Sequence, residues 1–333
     1  MQKVGLIGLN SVQHFLVDGL CICCAFLLAE LYGDRFGAYG DKVSMGAILI
    51  YNVLAFMSQP LTGLLADRMT HRHWLVLWSS LLLTTAVACT SLLSVLVKGG
   101  HVGMDDAVVE WLLILVAALL GIGNSLFHVW GGKQTVALMG NDLRALGVFV
   151  STGAFGLAVG FVYCSWALLY VILIALCLLA FFAIQDSKVE RISVSSEDSG
   201  YSLNVVWLSL VLLMAVVMFR SYVGQDFSDA IVKTPTLVLV IGAVSMLGKM
   251  AGGWLAKGFG IVNSMVVVLL VVLAAMLFRQ SGTAVLLVGI FAINCTMAVT
   301  LWLANVVLKG REGLAFGLLA AALIPGYLLA VYM

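Results

Sequence analysis

The sequence predicts an all-α polytopic membrane protein of about eleven membrane-crossing helices, divided six and five. Three observations predict it. Of 333 residues, 63% are hydrophobic and only 10% charged, with a mean hydropathy of +1.13. Soluble chains carry about 25% charged residues, so this chain cannot cover a water-facing surface. Apolar runs of about 20 residues, the length that spans a bilayer as a helix, recur from end to end. Two of those runs close on the same short segment, Gly63-Leu64-Leu65-Ala66-Asp67-Arg68 and Gly253-Trp254-Leu255-Ala256-Lys257-Gly258. Each reads G-x-L-A followed by a charge, an echo expected of a membrane protein built from internal repeats.

The runs follow in order. The first, 4–31, contains His14 and Asp18 and reaches Glu30, which with Asp34 lies at an outer mouth. Its length and these residues set it apart from a cleaved leader. The second, 43–66, closes on Asp67-Arg68, and the third, 74–97, lies between Arg72 and Lys98. The fourth, 107–130, ends ahead of Lys133. The fifth and sixth, 144–162 and 165–185, are split only by the turn residues Tyr163-Cys164-Ser165. Residues 186–202 are the one extended polar stretch, with Ser187, Ser193, Ser195, Ser196 and Ser199 among Asp186, Glu190, Glu197 and Asp198. They read as a cytoplasmic linker between an N-terminal six-helix bundle, 1–185, and a C-terminal bundle of about five helices, 203–333. The C-terminal runs are 203–224, 235–256, 261–279, 283–308 and 312–333.

Several classes are excluded. A lipid-facing β-barrel would alternate in segments of about 10 residues, and these runs do not. A net charge of +1 offers no basic surface for nucleic acid. The seven cysteines lie in or beside apolar runs rather than in the framework of a secreted domain. Orientation follows from Lys and Arg. With the N-terminus in the cytoplasm, Lys3, Arg68, Arg72, Lys133, Arg144, Lys188, Arg191, Lys249, Lys257, Lys309 and Arg311 fall inside. Arg35, Lys42, Lys98, Arg220, Lys233 and Arg279 then fall on the outer side. Both G-x-L-A segments face the cytoplasm.

Those segments resemble the major facilitator superfamily. Its loop between helices 2 and 3 reads G-x-L-a-D-R-x-G-R-R/K, and here stand Gly63, Leu65, Ala66, Asp67 and Arg68, then Thr70, His71 and Arg72. A degenerate copy commonly follows helix 8 in that family, where this chain has Gly253 to Lys257 behind Gly248-Lys249 and Gly252. Gly147, Gly156 and Gly160 match the glycine spacing of the family's helix-5 exchanger motif, with Phe161 where proline is usual. Glycines so spaced equally serve ordinary close helix packing. Ala117 stands before Gly121-Ile122-Gly123 where many proton-coupled members carry arginine. The resemblance implies a two-bundle fold, transport by alternating access, and a central cavity lined by helices 1, 4, 7 and 10. It also implies a cytoplasmic latch in which Gly63, Asp67, Arg68 and Arg72 join helices 2 and 11 in the outward-open state. Lys257 cannot repeat the part of Asp67.

An ionisable group at bilayer depth is costly, about 2.5–3.5 kcal/mol on insertion scales, and is a functional candidate for that reason. Asn10, His14 and Asp18 share one face of the first helix, and Asn124 and His128 one face of the fourth. His14, Asp18, His128 and Asn124 are candidates for proton coupling or substrate binding; the alternative is a static pair fixing two helices. Arg220 is the leading anion contact, since its planar fork suits a carboxylate or phosphate; the alternatives are snorkelling or pairing with Asp226. Tyr222, Lys249, Asn294, Trp302 and Asn305 are further cavity contacts, with Lys249 equally readable as a cytoplasmic anchor.

The function expected is a secondary active transporter for a small polar or anionic organic solute, proton-coupled, and not an enzyme. The alternative is a transition-metal transporter using His14, Asp18 and His128, with Met214 and Met218 as thioethers suited to Cu(I). A non-transporting receptor or scaffold, or an intramembrane enzyme, forms another class; Gly123-Asn124-Ser125 with His128 is the faint signal for the latter. No cofactor is expected beyond the coupling proton. The expected partners are a small-molecule substrate and the lipid bilayer, with no nucleic acid, for a multi-pass monomer of the plasma membrane.

Overall fold

A computed structural model describes residues 3–36, 38–69, 71, 73–98, 106–189 and 200–332. Among them the regular elements are helices alone. In chain order they are α1 (Lys3–Phe36), α2 (Ala38–Met57), α3 (Gln59–Arg68), α4 (His73–Lys98), α5 (Asp106–Met139), α6 (Leu143–Val162) and α7 (Trp166–Val189). The rest are α8 (Leu203–Asp229), α9 (Pro235–Phe259), α10 (Ile261–Leu277), α11 (Thr283–Asn294), α12 (Thr296–Val307), α13 (Glu312–Ala321) and α14 (Leu323–Tyr332). Ten segments are long and apolar enough to cross a membrane, and α10 is apolar but shorter at 17 residues. Arg72 and positions 190–199 lie outside the described residues; α7 enters the polar stretch as far as Val189.

The three prolines explain two breaks and one start. Pro60 and Pro325 each lack the N–H needed to bond the carbonyl four residues back. The second run accordingly divides at Ser58 into α2 and α3, and the eleventh at Ala322 into α13 and α14. Pro235 sits in the first turn of α9, where a missing N–H costs nothing, behind a Thr234 side chain that accepts from Leu237 N. The tenth run also breaks, at Cys295, without a proline.

The fourth run is longer than expected. The sequence bounds it at 130, but α5 continues to Met139 and carries Lys133 within it. Gly131 and Gly132 are there for packing: a Cβ on Gly131 would collide with the ring of Phe149, and one on Gly132 with the ring of Phe316.

The two G-x-L-A glycines do the same packing job. A Cβ on Gly63 would collide with the backbone of Gly313 in α13, and a Cβ on Gly253 with the carbonyl of Leu143 in α6. Each motif therefore seats the end of a helix from the other half of the chain directly on its backbone. The outward faces are apolar, as at Leu208, Val211 and Leu212 of α8 and Val266, Val267 and Leu270 of α10. Such faces belong against lipid.

Candidate functional site

His14 and Asp18 on α1 meet Asn124 and His128 on α5, and all four are buried. Helical spacing puts each pair on one face, and the helices bring the faces together. The carboxylate of Asp18 is the hub. Its Oδ2 lies 3.3 Å from Nε2 of His14, and its Oδ1 lies 3.5 Å from Nε2 of His128. The side-chain amide of Asn124 donates to the same Oδ1 at 3.1 Å. The two imidazoles stand edge to face with centroids 4.5 Å apart. Gly153 of α6 backs the cluster, and a Cβ there would overlap both Asp18 and His14.

The far ring nitrogens are also occupied. Nδ1 of His14 lies 2.7 Å from the Phe149 carbonyl, and Nδ1 of His128 lies 2.9 Å from the Asn124 carbonyl. A carbonyl only accepts, so both rings carry a hydrogen on Nδ1. A neutral ring then turns its Nε2 lone pair toward the carboxylate. Two such contacts on one carboxylate are repulsive unless something positive occupies them. Protons can, and so can a metal ion: the three ligand atoms lie within 4.8 Å of one another. An imidazole whose second nitrogen is held by a carbonyl is the usual second shell of a metal-bound histidine.

The cluster opens on a cavity of about 160 Å³ between the halves of the chain. His14, Asp18, Gln59 and His128 line one side, Arg220, Lys249, Met297 and Thr300 the other. Arg220 is only 6% exposed and donates from Nη1 to Thr300 Oγ1 at 3.3 Å. Asp226, a sequence candidate for its partner, pairs instead with Arg279 at 3.2 Å. Lys249 is the cavity cation of its two readings, and it interacts electrostatically with Arg220 and Asp18. Among the described residues, neither Arg220 nor Lys249 has a carboxylate within 4.0 Å. A second chamber of about 240 Å³ shares Arg220 and Lys249 and continues along Gly224, Gln225 and Ser228.

Two polar contacts join the halves of the chain at the end that holds both G-x-L-A segments. Asp67 Oδ1 accepts from Gly313 N at 2.9 Å and Oδ2 from Leu314 N at 2.8 Å, so one carboxylate caps the free amides of α13. Its charge partner is Lys133 at 2.5 Å. Arg68, expected in this latch, is exposed and makes no ion pair among the described residues, because it follows Asp67 onto the outer face of the helix end. The second contact is the counterpart at the other G-x-L-A segment. Asp142 caps α6 by accepting from Arg144 N and Ala145 N, with Lys257 3.9 Å away. Hydrogen bonding from Arg144 holds its carboxyl below the usual carboxylate range. Asn141 beside it, in the left-handed region at φ 60°, donates to the Trp302 carbonyl and accepts from Asn305.

The remaining expected residues divide. Trp302 and Asn305 belong to this second contact rather than to the cavity lining, because α12 has passed the cavity before reaching them. Asn294 lines the outer chamber. Tyr222 packs against the apolar cluster around Val223 and Phe227, and Asn10 is buried below His14; neither lines the cavity. Met214 and Met218 pack into the core away from the histidines, whereas Met297 reaches the cavity. Of the helix-5 glycines, Gly156 and Gly160 admit the α1 backbone at Phe15 and Gly19, and Gly147 admits the α9 backbone at Lys249.

No protein-family model matches the chain, and no curated protein does. Solved structures of like fold include transporters. A bacterial homologue of the iron transporter ferroportin, in an outward-facing state, is 17% identical, with 97% of this chain and 90% of that one covered at a TM-score of 0.62. A structure of such a homologue with soaked iron is 15% identical, with 98% and 89% covered at 0.61. The E. coli fucose:proton symporter FucP is 11% identical, with 99% and 91% covered at 0.62.

Proposed function

We propose that this chain, which has the fold of the major facilitator superfamily, is a secondary active transporter that moves a small organic anion by alternating access, with His14, Asp18 and His128 carrying the coupling protons. One observation supports it above the rest: two cavity-lining cations without carboxylate partners among the described residues, Arg220 and Lys249, share that cavity with the triad. An arginine fork and an ammonium left without a counter-ion are complementary to a carboxylate or phosphate. Protons that enter the Nε2–Asp18 contacts raise the charge of the cavity and strengthen anion binding. Their release weakens it. Opening the Asp67 and Asp142 contacts would pass the bound anion to the cytoplasmic side.

A second reading has its own support. Both Nε2 atoms are presented as lone pairs by the carbonyls behind them, which suits a divalent transition metal as substrate. The ferroportin homologues share this fold, and one was soaked with iron.

The test is uptake into proteoliposomes from a panel of mono-, di- and tricarboxylates and phosphate esters under an imposed pH gradient. The expected result is uptake that is saturable, driven by the gradient and lost in Arg220→Gln. Uptake of cations or neutral solutes alone, with no anion carried, overturns the reading.

A further inference from the structure

Two opposite chemistries face one another across a single space. The wall formed by α1 and α5 offers two imidazole nitrogens and a carboxylate within 4.8 Å, a set of ligands for a divalent cation. The wall formed by α8 and α9 offers Arg220 and Lys249, a set of contacts for carboxylates. A bare divalent ion at the first wall would be repelled by the two cations opposite. It would also leave most of a cavity of about 160 Å³ unused. A bare anion at the second wall would leave two imidazole lone pairs turned toward a carboxylate unless protons fill both contacts. Each wall alone is frustrated by the other.

We infer that the substrate is a divalent metal bound to a polycarboxylate, carried as the complex. This rests on the organic-anion reading above and narrows it, with the metal and the coupling protons competing for the same Nε2 atoms. His14 Nε2, His128 Nε2 and an oxygen of Asp18 supply three ligands on one side of the metal, and the polycarboxylate fills the remaining positions from the cavity. Its outlying carboxylates reach the fork of Arg220 and the ammonium of Lys249. The charges close. With both rings neutral the triad carries one negative charge, and Arg220 with Lys249 carries two positive, so the site is left one positive. A divalent ion held by a tricarboxylate carries one negative charge and brings it to neutrality. The carbonyls of Phe149 and Asn124 keep both rings in the tautomer this requires.

The experiment uses purified full-length protein in metal-free buffer with Co2+ alone, citrate alone, and both at equal concentration. Thermal stability reports binding of any kind. The visible absorption of Co2+ reports imidazole ligation directly. The expected result is a thermal shift from the mixture larger than the two separate shifts combined, an apparent citrate affinity at least tenfold tighter with Co2+, and a changed Co2+ band. Arg220→Gln should keep the changed band and lose the tenfold gain; His128→Gln should lose both. Citrate binding that is indifferent to Co2+ overturns the inference and leaves the organic-anion reading standing. A full effect from Co2+ alone overturns it in favour of the bare ion. No shift from citrate, Co2+ or any other carboxylate overturns both the inference and the reading beneath it.

Discussion

Gly153 leaves no room for a side chain because Asp18 already fills it: a methyl group there would overlap Oδ2 of the carboxylate. The glycine is what lets α6 close over the triad. Gly153→Ala must therefore push Asp18 or His14 out of line, at an overpacking cost of about 1–3 kcal/mol. The expected outcome is folded protein with a lowered Tm and flux reduced at least tenfold. Gly8→Ala on α1 is the control, since a Cβ there meets nothing within 4 Å. It should leave flux unchanged. Wild-type flux from Gly153→Ala would remove the triad geometry from the mechanism.

Asp18→Asn keeps the shape of the hub and removes its charge. The two imidazoles then have no carboxylate to share protons with, and both stay neutral. Uptake driven by a pH gradient should fall at least a hundredfold, while exchange of labelled for unlabelled substrate, which needs no net proton movement, continues. The comparison of the two assays on one preparation is the measurement. Gradient-driven uptake at the wild-type rate would mean that the proton travels elsewhere.

Asp67 joins the end of α3 to the start of α13, and in the proposed transport cycle this contact is a gate. Asp67→Ala removes a cap worth about 1 kcal/mol and strands Lys133, whose side chain is only 7% exposed. A buried charge that loses its partner typically costs about 3–5 kcal/mol. Opening the gate relieves that cost, so the inward-open state should gain. Labelling of a cysteine placed at Thr62, beside the gate, should rise at least tenfold from the cytoplasmic side. Asp67→Ala combined with Lys133→Met should return part of that rise. Equal labelling in all three proteins would show that the Asp67–Gly313 contact does not gate.

How much of this was legible follows from what a linear pattern contains. Periodicity along one helix is in the sequence, so the runs, the His14–Asp18 and Asn124–His128 faces and the Asp67 motif could be read from it. Rotation of one helix against another is not. Nothing in the neighbours of Gly153 says that it faces Asp18, and nothing around Met297 says that it, rather than Met214 or Met218, reaches the cavity. Gln59, which lines the cavity beside the break at Ser58 and bonds Ala55 O, was also missed. Its signal was present: a polar pair before Pro60 in an apolar run marks a broken helix. Lys133 reads only as a charge beyond the fourth run, because nothing in the sequence shows that it meets Asp67 of another helix. Lys257 looked like a failed copy of Asp67 because its partner, Asp142, lies on another helix.

Asp142 sets the last prediction, because its pH behaviour separates the latch from the coupling site. Its folded-state pKa is depressed, chiefly by the hydrogen bond from Arg144. A depressed carboxylate contributes stability that is fully present above its unfolded pKa, about 3.9, and is lost as pH falls through the folded value. Over about pH 5 to 8, where histidines titrate, Asp142 stays ionised and its contact with Lys257 and the α6 amides is constant. Asp142→Asn keeps an oxygen to cap Arg144 N and Ala145 N but loses the charge. It should therefore scale the transport rate by a similar factor, within about threefold, at every pH in that range, with a stability loss of about 1 kcal/mol or less. His14→Gln, by contrast, should change the shape of the pH profile. The measurement is flux at several pH values for the two variants and the wild type. A displaced pH optimum in Asp142→Asn would place a coupling proton at the cytoplasmic contact, and an unchanged profile in His14→Gln would take it away from the triad.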